Sequence, residues 1–317
     1  MIVRSALELS SEPLFLELII PELGPNVFLK IEALNIAGSI KFKAARQMIE
    51  DLECSGKLQP RASVIESSSG NLGLALSIIC AAKGYKFICI TDPNVSPQTR
   101  RLMEAYGAQV SVVTEMDSRG GYLNTRIERI QEMLRLDPTL VWTNQYANPS
   151  NKLAHVRSTG PEILEAFPRP GAVIIGAGTT GTIMGCAEYI HQHSPSTQII
   201  AVDSVGSILF QDVPGKRYLP GLGASRKPEL LDRSIIDSII MVTESETISM
   251  CHLVSRRAGL LVGASTGTVL AGTARLKDRL RTASPIIAIS PDLGDRYVDT
   301  LYNPDWTSRH FPLVARH

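Results

Sequence analysis

Short apolar runs recur along this chain, separated by helix-length amphipathic segments, and that alternation limits the fold more than any other feature. The runs lie at 27–31, 63–66, 87–91, 109–113, 141–143, 172–175, 198–202, 239–243, 260–262 and 286–289. Several are apolar throughout, which suits strands covered on both faces, as in a parallel sheet. Between them, helices are expected at 40–54, 72–83, 97–106, 121–136, 152–167, 183–191, 246–258 and 268–281. Ser96-Pro97 is a helix start, a capping oxygen followed by proline at the first helical position. Gly84, Gly107 and Gly259 stand where helices should stop. The pattern predicts an α/β fold with mainly parallel sheets covered by helices. At 317 residues the chain is long enough for two domains sharing a buried core.

The net charge is +1, so nothing points to a nucleic-acid or membrane surface. No apolar run approaches membrane-spanning length, and residues 1–20, broken by Arg4, Glu8 and Glu17, do not read as a signal peptide. The expected location is cytoplasmic. The five cysteines (Cys54, Cys80, Cys89, Cys186 and Cys251) form no CxxC, and four lie in apolar patterns. They read as reduced thiols, most of them buried. His191 and His193, two apart, point to different helix faces, so no metal site is expected.

Chemistry enters at one lysine and three loops. Lys41 falls in the first turn of the helix after Gly38-Ser39, where it opposes the helix dipole. Held in a cleft, its ammonium can lose a proton and become the amine nucleophile of a Schiff base. Ser67-Ser68-Ser69-Gly70-Asn71 links a strand to a helix and can receive a carboxylate or phosphate on its N–H groups and hydroxyls. An ordinary capped turn is the plainer reading, but three serines exceed what capping needs. Gly178-Thr179-Thr180-Gly181-Thr182 forms a second such turn. With Gly176 it also matches GxGxxG, and Asp203 ends the next run, so a dinucleotide fingerprint and an NAD-dependent oxidoreductase are a competing reading. The threonines favour a phosphate monoester over a pyrophosphate. Gly263-Ala264-Ser265-Thr266-Gly267 is the third turn. One ligand suits the set: pyridoxal phosphate has an aldehyde for Lys41, a phosphate for the threonine loop and a ring nitrogen for Ser265. The substrate carboxylate would then occupy the serine loop.

On these residues the chain resembles, nearly end to end, the cysteine synthase / cystathionine β-synthase family, the fold-type II pyridoxal-phosphate enzymes. Asn35 to Lys41 matches that family's N-x-x-GS-x-K segment, and Ser69-Gly70-Asn71 matches its SGN loop. Gly178 to Thr182 matches GTGGT with Thr180 in place of a glycine, and Ser265 matches the serine facing the pyridine nitrogen. The chain departs from the family at Ile36, where proline is usual, and at Phe42-Lys43, where Asp-Arg is usual. Those departures affect outer contacts and leave the substrate open, not the cofactor. The resemblance implies Lys41 as Schiff-base residue and general base. It places the cofactor on Lys41, Asn71, Gly178, Thr179, Thr180, Gly181, Thr182 and Ser265. It also implies a smaller domain at 36–148 and a larger one from 1–35 with 149–317.

The strings beginning at Gly120, Asn144, Leu219 and Pro291 resemble one branch, whose members join O-phospho-L-serine to the amino group of L-glutamate. Their product, N-(2-amino-2-carboxyethyl)-L-glutamate, is a precursor of 2,3-diaminopropionate for siderophores such as staphyloferrin B and for peptide antibiotics. Substrate is then expected on Ser67, Ser68, Ser69, Gly70, Asn71, Arg126, Tyr146 and Arg226, with Lys227 a further cation. A diacid nucleophile and a phosphate leaving group both call for such arginines. A solvated surface role for each is the plainer reading. The resemblance further implies a homodimer and a product passed to a separate NAD-dependent oxidase. A cysteine synthase acting on O-acetylserine or O-phosphoserine with sulfide is the alternative, and a non-catalytic relative of the fold is a third reading.

Overall fold

A computed structural model describes residues 2–10, 12–117, 121–279 and 284–312. The apolar runs become strands because β-branched side chains on both faces are covered by helices. In chain order the strands are β1 (Leu14–Glu17), β2 (Val27–Ile31), β3 (Ser63–Ser67), β4 (Lys86–Thr91), β5 (Gln109–Val112), β6 (Leu140–Trp142), β7 (Ala172–Gly176), β8 (Gln198–Ser204), β9 (Ser238–Val242) and β10 (Ile286–Ser290). The helices are α1 (Lys41–Cys54), α2 (Asn71–Lys83), α3 (Pro97–Ala105), α4 (Leu123–Leu136), α5 (Pro149–Arg157), α6 (Thr159–Ala166), α7 (Gly181–His193), α8 (Glu244–Ala258), α9 (Ala264–Leu276) and α10 (Pro304–His310).

Two sheets result, ordered β1-β2-β10-β7-β8-β9 and β5-β4-β3-β6. All pairings are parallel except β1 with β2. Parallel neighbours end on the same edge. The segments after β2, β10, β7 and β8 therefore emerge side by side, as do those after β3, β4 and β6. Open α/β sheets bind ligands at this edge.

The structure corrects several expectations. Residues 260–262 form no strand: Gly259 ends α8 at φ +67°, α9 starts at Ala264, and Val262 makes only an isolated bridge to Leu293. The chain has too few residues there to run extended. α9 begins four residues earlier than expected because the Gly263 turn is its cap, so Ser265 lies in its first turn. Arg281, the expected end of that helix, lies outside the described residues, as does Gly120. The helix expected at 152–167 breaks at Ser158, whose φ of −134° and ψ of −72° end α5. Pro161 has no N–H to continue the ladder, so α6 restarts with it in the first turn. β1 escaped the pattern because Glu17 interrupts an exposed edge strand. α10, capped by Asn303, escaped it because it is only seven residues long.

Ser96 caps α3 as expected, accepting from the Thr99 N–H. Cys80, Cys89, Cys186 and Cys251 are buried and Cys54 is exposed. No cluster of metal-ligating residues and no helix long and apolar enough to cross a membrane occurs among the described residues.

Candidate active site

The turn from β2 into α1 is built by Asn35. Its Nδ2 donates to the carbonyls of Glu32 (2.9 Å) and Ser39 (3.0 Å), and its Oδ1 accepts from the Ala37 N–H at 3.0 Å. Gly38 completes the turn at φ +65°, where a Cβ would strike the Arg296 guanidinium. Lys41 emerges as the first residue of α1, and its Nζ donates to Thr179 Oγ1 at 3.2 Å. Burial pulls the Lys41 ammonium down to about 8 against the opposing field of Glu66. Glu66 is itself sealed at the end of β3. It accepts from Thr143 Oγ1 (2.6 Å), the Ser67 and Gln145 N–H groups and Trp142 Nε1.

The loop between β7 and α7 faces Lys41. Thr179 Oγ1 accepts from Lys41 Nζ and from Asn151 Nδ2 (3.0 Å), so its own proton is free for another acceptor. Thr180 holds φ +67°, a left-handed conformation that a β-branched residue rarely adopts. The family's glycine at this position would adopt it without strain, so the backbone shape is kept although the residue is not. Gly181 admits Asn151, since a Cβ there would lie 2.2 Å from Asn151 Oδ1. The N–H groups of Gly178, Thr179 and Thr180 have no acceptor among the described residues.

In the serine loop, Ser68 is committed to local structure: its Oγ accepts from the N–H groups of Gly70 (3.2 Å) and Gly73 (2.9 Å). Ser67 Oγ is buried without a partner, and Ser69 and Gly70 are partly exposed. Asn71 opens α2 and spans the two sheets. Its Nδ2 donates to Asp292 Oδ2 at 2.8 Å, and its Oδ1 accepts from Arg296 Nη1 at 2.5 Å. Asp292 also accepts from Tyr297 OH (2.7 Å) and, at 3.4 Å, from Ser265 Oγ. Burial raises the Asp292 carboxyl above its usual range.

Arg126 is buried and lies 3.4 Å from the Asp92 carboxylate, with its Nε unpartnered. Arg226 is partly exposed, pairs with Glu229 and sits over the Tyr146 ring at 5.7 Å from its centroid. The charges of Arg126, Arg226, Arg217 and Glu66 all reach the Tyr146 hydroxyl, whose pKa burial raises. Lys227 is different: it is exposed and pairs with Asp212. The expected carboxylate, phosphate and ring loops therefore come together around Lys41, and Arg126, Arg226 and Tyr146 group beside Glu66.

Seven buried side-chain atoms lack a partner among the described residues: Ser39 Oγ, Ser67 Oγ, Thr91 Oγ1, Arg126 Nε, Thr180 Oγ1, Asp203 Oδ2 and Arg217 Nε. Six of them stand at or just beyond the carboxyl ends of strands or in or just before the first turn of the following helix, and Arg217 lies in the long segment between β8 and β9. Unpaired buried polar atoms are costly, so their gathering marks a ligand site. The donors fit pyridoxal phosphate: a lowered-pKa amine, a glycine-lined cup of free N–H and threonine groups at a helix start, and Ser265 beside them. They do not fit a dinucleotide. Asp203, the would-be ribose acid, is fully buried, accepts from the Ser204 N–H at 2.8 Å, and is pushed up to about 6 by burial. The sequence reading missed Glu66, Asn151, His155 and Arg296. The i, i+4 spacing of Asn151 and His155 on one helix face was the only signal for that pair.

Comparison with known proteins agrees with the geometry. The pyridoxal-phosphate dependent enzyme family matches residues 11–292. A protein of Ralstonia nicotianae named N-(2-amino-2-carboxyethyl)-L-glutamate synthase is 43% identical over 285 residues, covering 90% of this chain and 84% of the relative. One of the same name from Cupriavidus metallidurans is 41% identical over 292 residues, again covering 90% and 84%. Among solved structures, O-ureido-L-serine synthase superposes with a TM-score of 0.86 at 27% identity, covering 95% of this chain and 96% of that one. A hydrogen sulfide-producing enzyme from Fusobacterium nucleatum superposes with a TM-score of 0.87 at 27% identity, covering 93% and 100%.

Proposed function

The chain belongs to the pyridoxal-phosphate dependent enzymes, and from that premise we propose that it joins O-phospho-L-serine to the amino group of L-glutamate. The product is N-(2-amino-2-carboxyethyl)-L-glutamate, and the reaction is a β-replacement. The observation that carries the choice of substrates is the pair of guanidiniums, Arg126 and Arg226, that flank Tyr146 beside Glu66. Two extra carboxylates on the nucleophile and a phosphate on the leaving side both need positive charge, and arginine meets such groups in a bidentate way.

When bound, the cofactor supplies the electron sink that makes the substrate Cα acidic. Lys41 Nζ is the amine that would hold its carbonyl carbon. When not so engaged, the same Nζ would take the Cα proton and later return it. Its pKa of about 8 lets it do both near neutrality. Thr179, Thr180, Thr182 and the N–H groups of Gly178 to Thr180 hold the phosphate. Ser67, Ser69, Gly70 and Asn71 take the substrate carboxylate, with Ser68 shaping their loop. Ser265 would meet the ring nitrogen. Arg126 and Tyr146 serve the phosphoserine side, and Arg226, nearer solvent, serves glutamate.

Residues 36–148 form the smaller unit, and 1–35 with 149–317 the larger. Asn71 against Asp292 and Arg296 is the tie across which they close, excluding water from the reacting centre. The working form is a homodimer whose product goes on to an NAD-dependent oxidase. Incubation with pyridoxal phosphate, O-phosphoserine and glutamate, followed by mass spectrometry, tests the reading. Turnover with sulfide but not with glutamate would make it a cysteine synthase instead.

A further inference from the structure

Thr182 closes the phosphate cup, yet nothing in its own segment fixes where its hydroxyl proton points. Its partner is His155, a buried ring on α5 with Nε2 at 3.1 Å from Thr182 Oγ1. An imidazole can either donate or accept there, depending on its tautomer. The choice is made at the other end of the ring. His155 Nδ1 lies 2.9 Å from Thr159 Oγ1, and Thr159 Oγ1 lies 3.4 Å from Lys43 Nζ.

Lys43 is an obligate donor. Its ammonium is held by Glu32 (2.9 Å) and Glu162 (2.7 Å), the carboxylates that also bind the buried Lys30. Thr159 Oγ1 therefore accepts from Lys43, and its single proton has one remaining partner, His155 Nδ1. A neutral ring that accepts on Nδ1 carries its proton on Nε2. The opposite tautomer would leave the Thr159 proton without an acceptor and draw the Thr182 proton away from the cup. Burial, reinforced by Lys43, Lys41 and Lys30 and opposed by Glu162, keeps the ring uncharged by holding its pKa well below the usual histidine value. Gly185 makes the approach possible, since a Cβ there would meet His155 Cβ at 2.6 Å.

We propose that His155 is a positioning residue that polarises the phosphate cup: it donates from Nε2 to Thr182 Oγ1 and so turns the Thr182 proton toward the cofactor's phosphate. The relay Lys43–Thr159–His155–Thr182 gives Lys43, at a position where the family usually has arginine, a part in cofactor retention. The inference rests on the threonine loop holding the phosphate.

Long-range 15N–1H correlation spectra of 15N-histidine-labelled holoenzyme read the tautomer directly. A neutral Nε2–H ring at His155 is expected, and an Nδ1–H ring or an imidazolium overturns the proposal. Affinity for pyridoxal phosphate provides a second test. His155→Leu should weaken it about tenfold, the loss of one hydrogen bond to a charged group. His155→Gln, whose amide can still donate to Thr182, should recover most of that. Affinity for pyridoxal, which has no phosphate, should not change. In a Thr182→Val background His155→Leu should have no further effect. Equal losses for Leu and Gln, or an undiminished loss in the Thr182→Val background, would make His155 a packing residue only. If Thr182→Val itself leaves affinity unchanged, the assignment of the loop to phosphate fails instead.

Discussion

Lys41 Nζ lies 3.2 Å from Thr179 Oγ1, although the two residues are 138 positions apart and follow different strands. The contact places the amine against the anion cup without giving it a carboxylate partner. Lys41 is thus partly withdrawn from water without an ion pair, the condition that lowers an ammonium pKa. Sodium borohydride should fix a pyridoxal chromophore to the peptide containing Lys41, and Lys41→Ala should lose that link and turnover together. Peptide mapping checks it, and trapping on Lys43 would overturn the assignment.

The lowered Lys41 pKa also has a sign. Below about pH 8 the folded and unfolded lysine are both charged, and the burial penalty is present in full. Between about 8 and its usual value of 10.5 the unfolded chain binds more protons, so this group's contribution to stability rises with pH. Apoenzyme Lys41→Met should therefore be more stable than wild type below pH 8, with the gap closing toward pH 10. Urea titrations at several pH values measure it, and a constant gap would contradict the shift.

Thr180→Gly should stabilise the apoenzyme by about 1 kcal/mol, because it removes the strain of an L-residue in the left-handed region. The same change should weaken pyridoxal phosphate binding, since the buried Oγ1 that lacks a protein partner is lost. A destabilised apoenzyme would show that the Thr180 side chain packs more favourably than its backbone is strained.

Arg296→Ala should leave Asn71 Oδ1 and the Ala37 carbonyl without their donor. Loosening the tie between the sheets should raise KM for O-phosphoserine and increase formation of pyruvate from substrate that meets water. Coupled lactate dehydrogenase assays would detect the pyruvate. An unchanged partition would mean that closure does not depend on this guanidinium.

Arg226→Ala should spare the first half-reaction with O-phosphoserine and raise the glutamate needed for the second about tenfold. That is smaller than for a sealed charge pair, because Arg226 is partly exposed and shared with Glu229. Stopped-flow absorbance separates the halves. A slowed first half would reassign Arg226 to the leaving phosphate.

The sequence alone determined the alternating α/β fold, most of its strands and the places of Lys41 and the three loops along the chain. Those features are local: apolar runs of strand length, caps such as Ser96-Pro97, and glycine-serine-threonine turns carry their signal within a few residues. The break at Ser158 was legible in principle from Pro161, whereas the Gly263 cap was obscured by a run that looked like a strand. Tertiary structure alone decided which groups face one another. The Asn71–Asp292 tie joins residues 221 apart, and the Lys43–Thr159–His155–Thr182 relay crosses three helices and the residue opening a fourth. No spacing in the chain encodes such contacts, because they arise only when parallel strands bring their carboxyl ends to one edge. The pKa of Lys41 belongs to the same class: it depends on burial, which a sequence states only after folding.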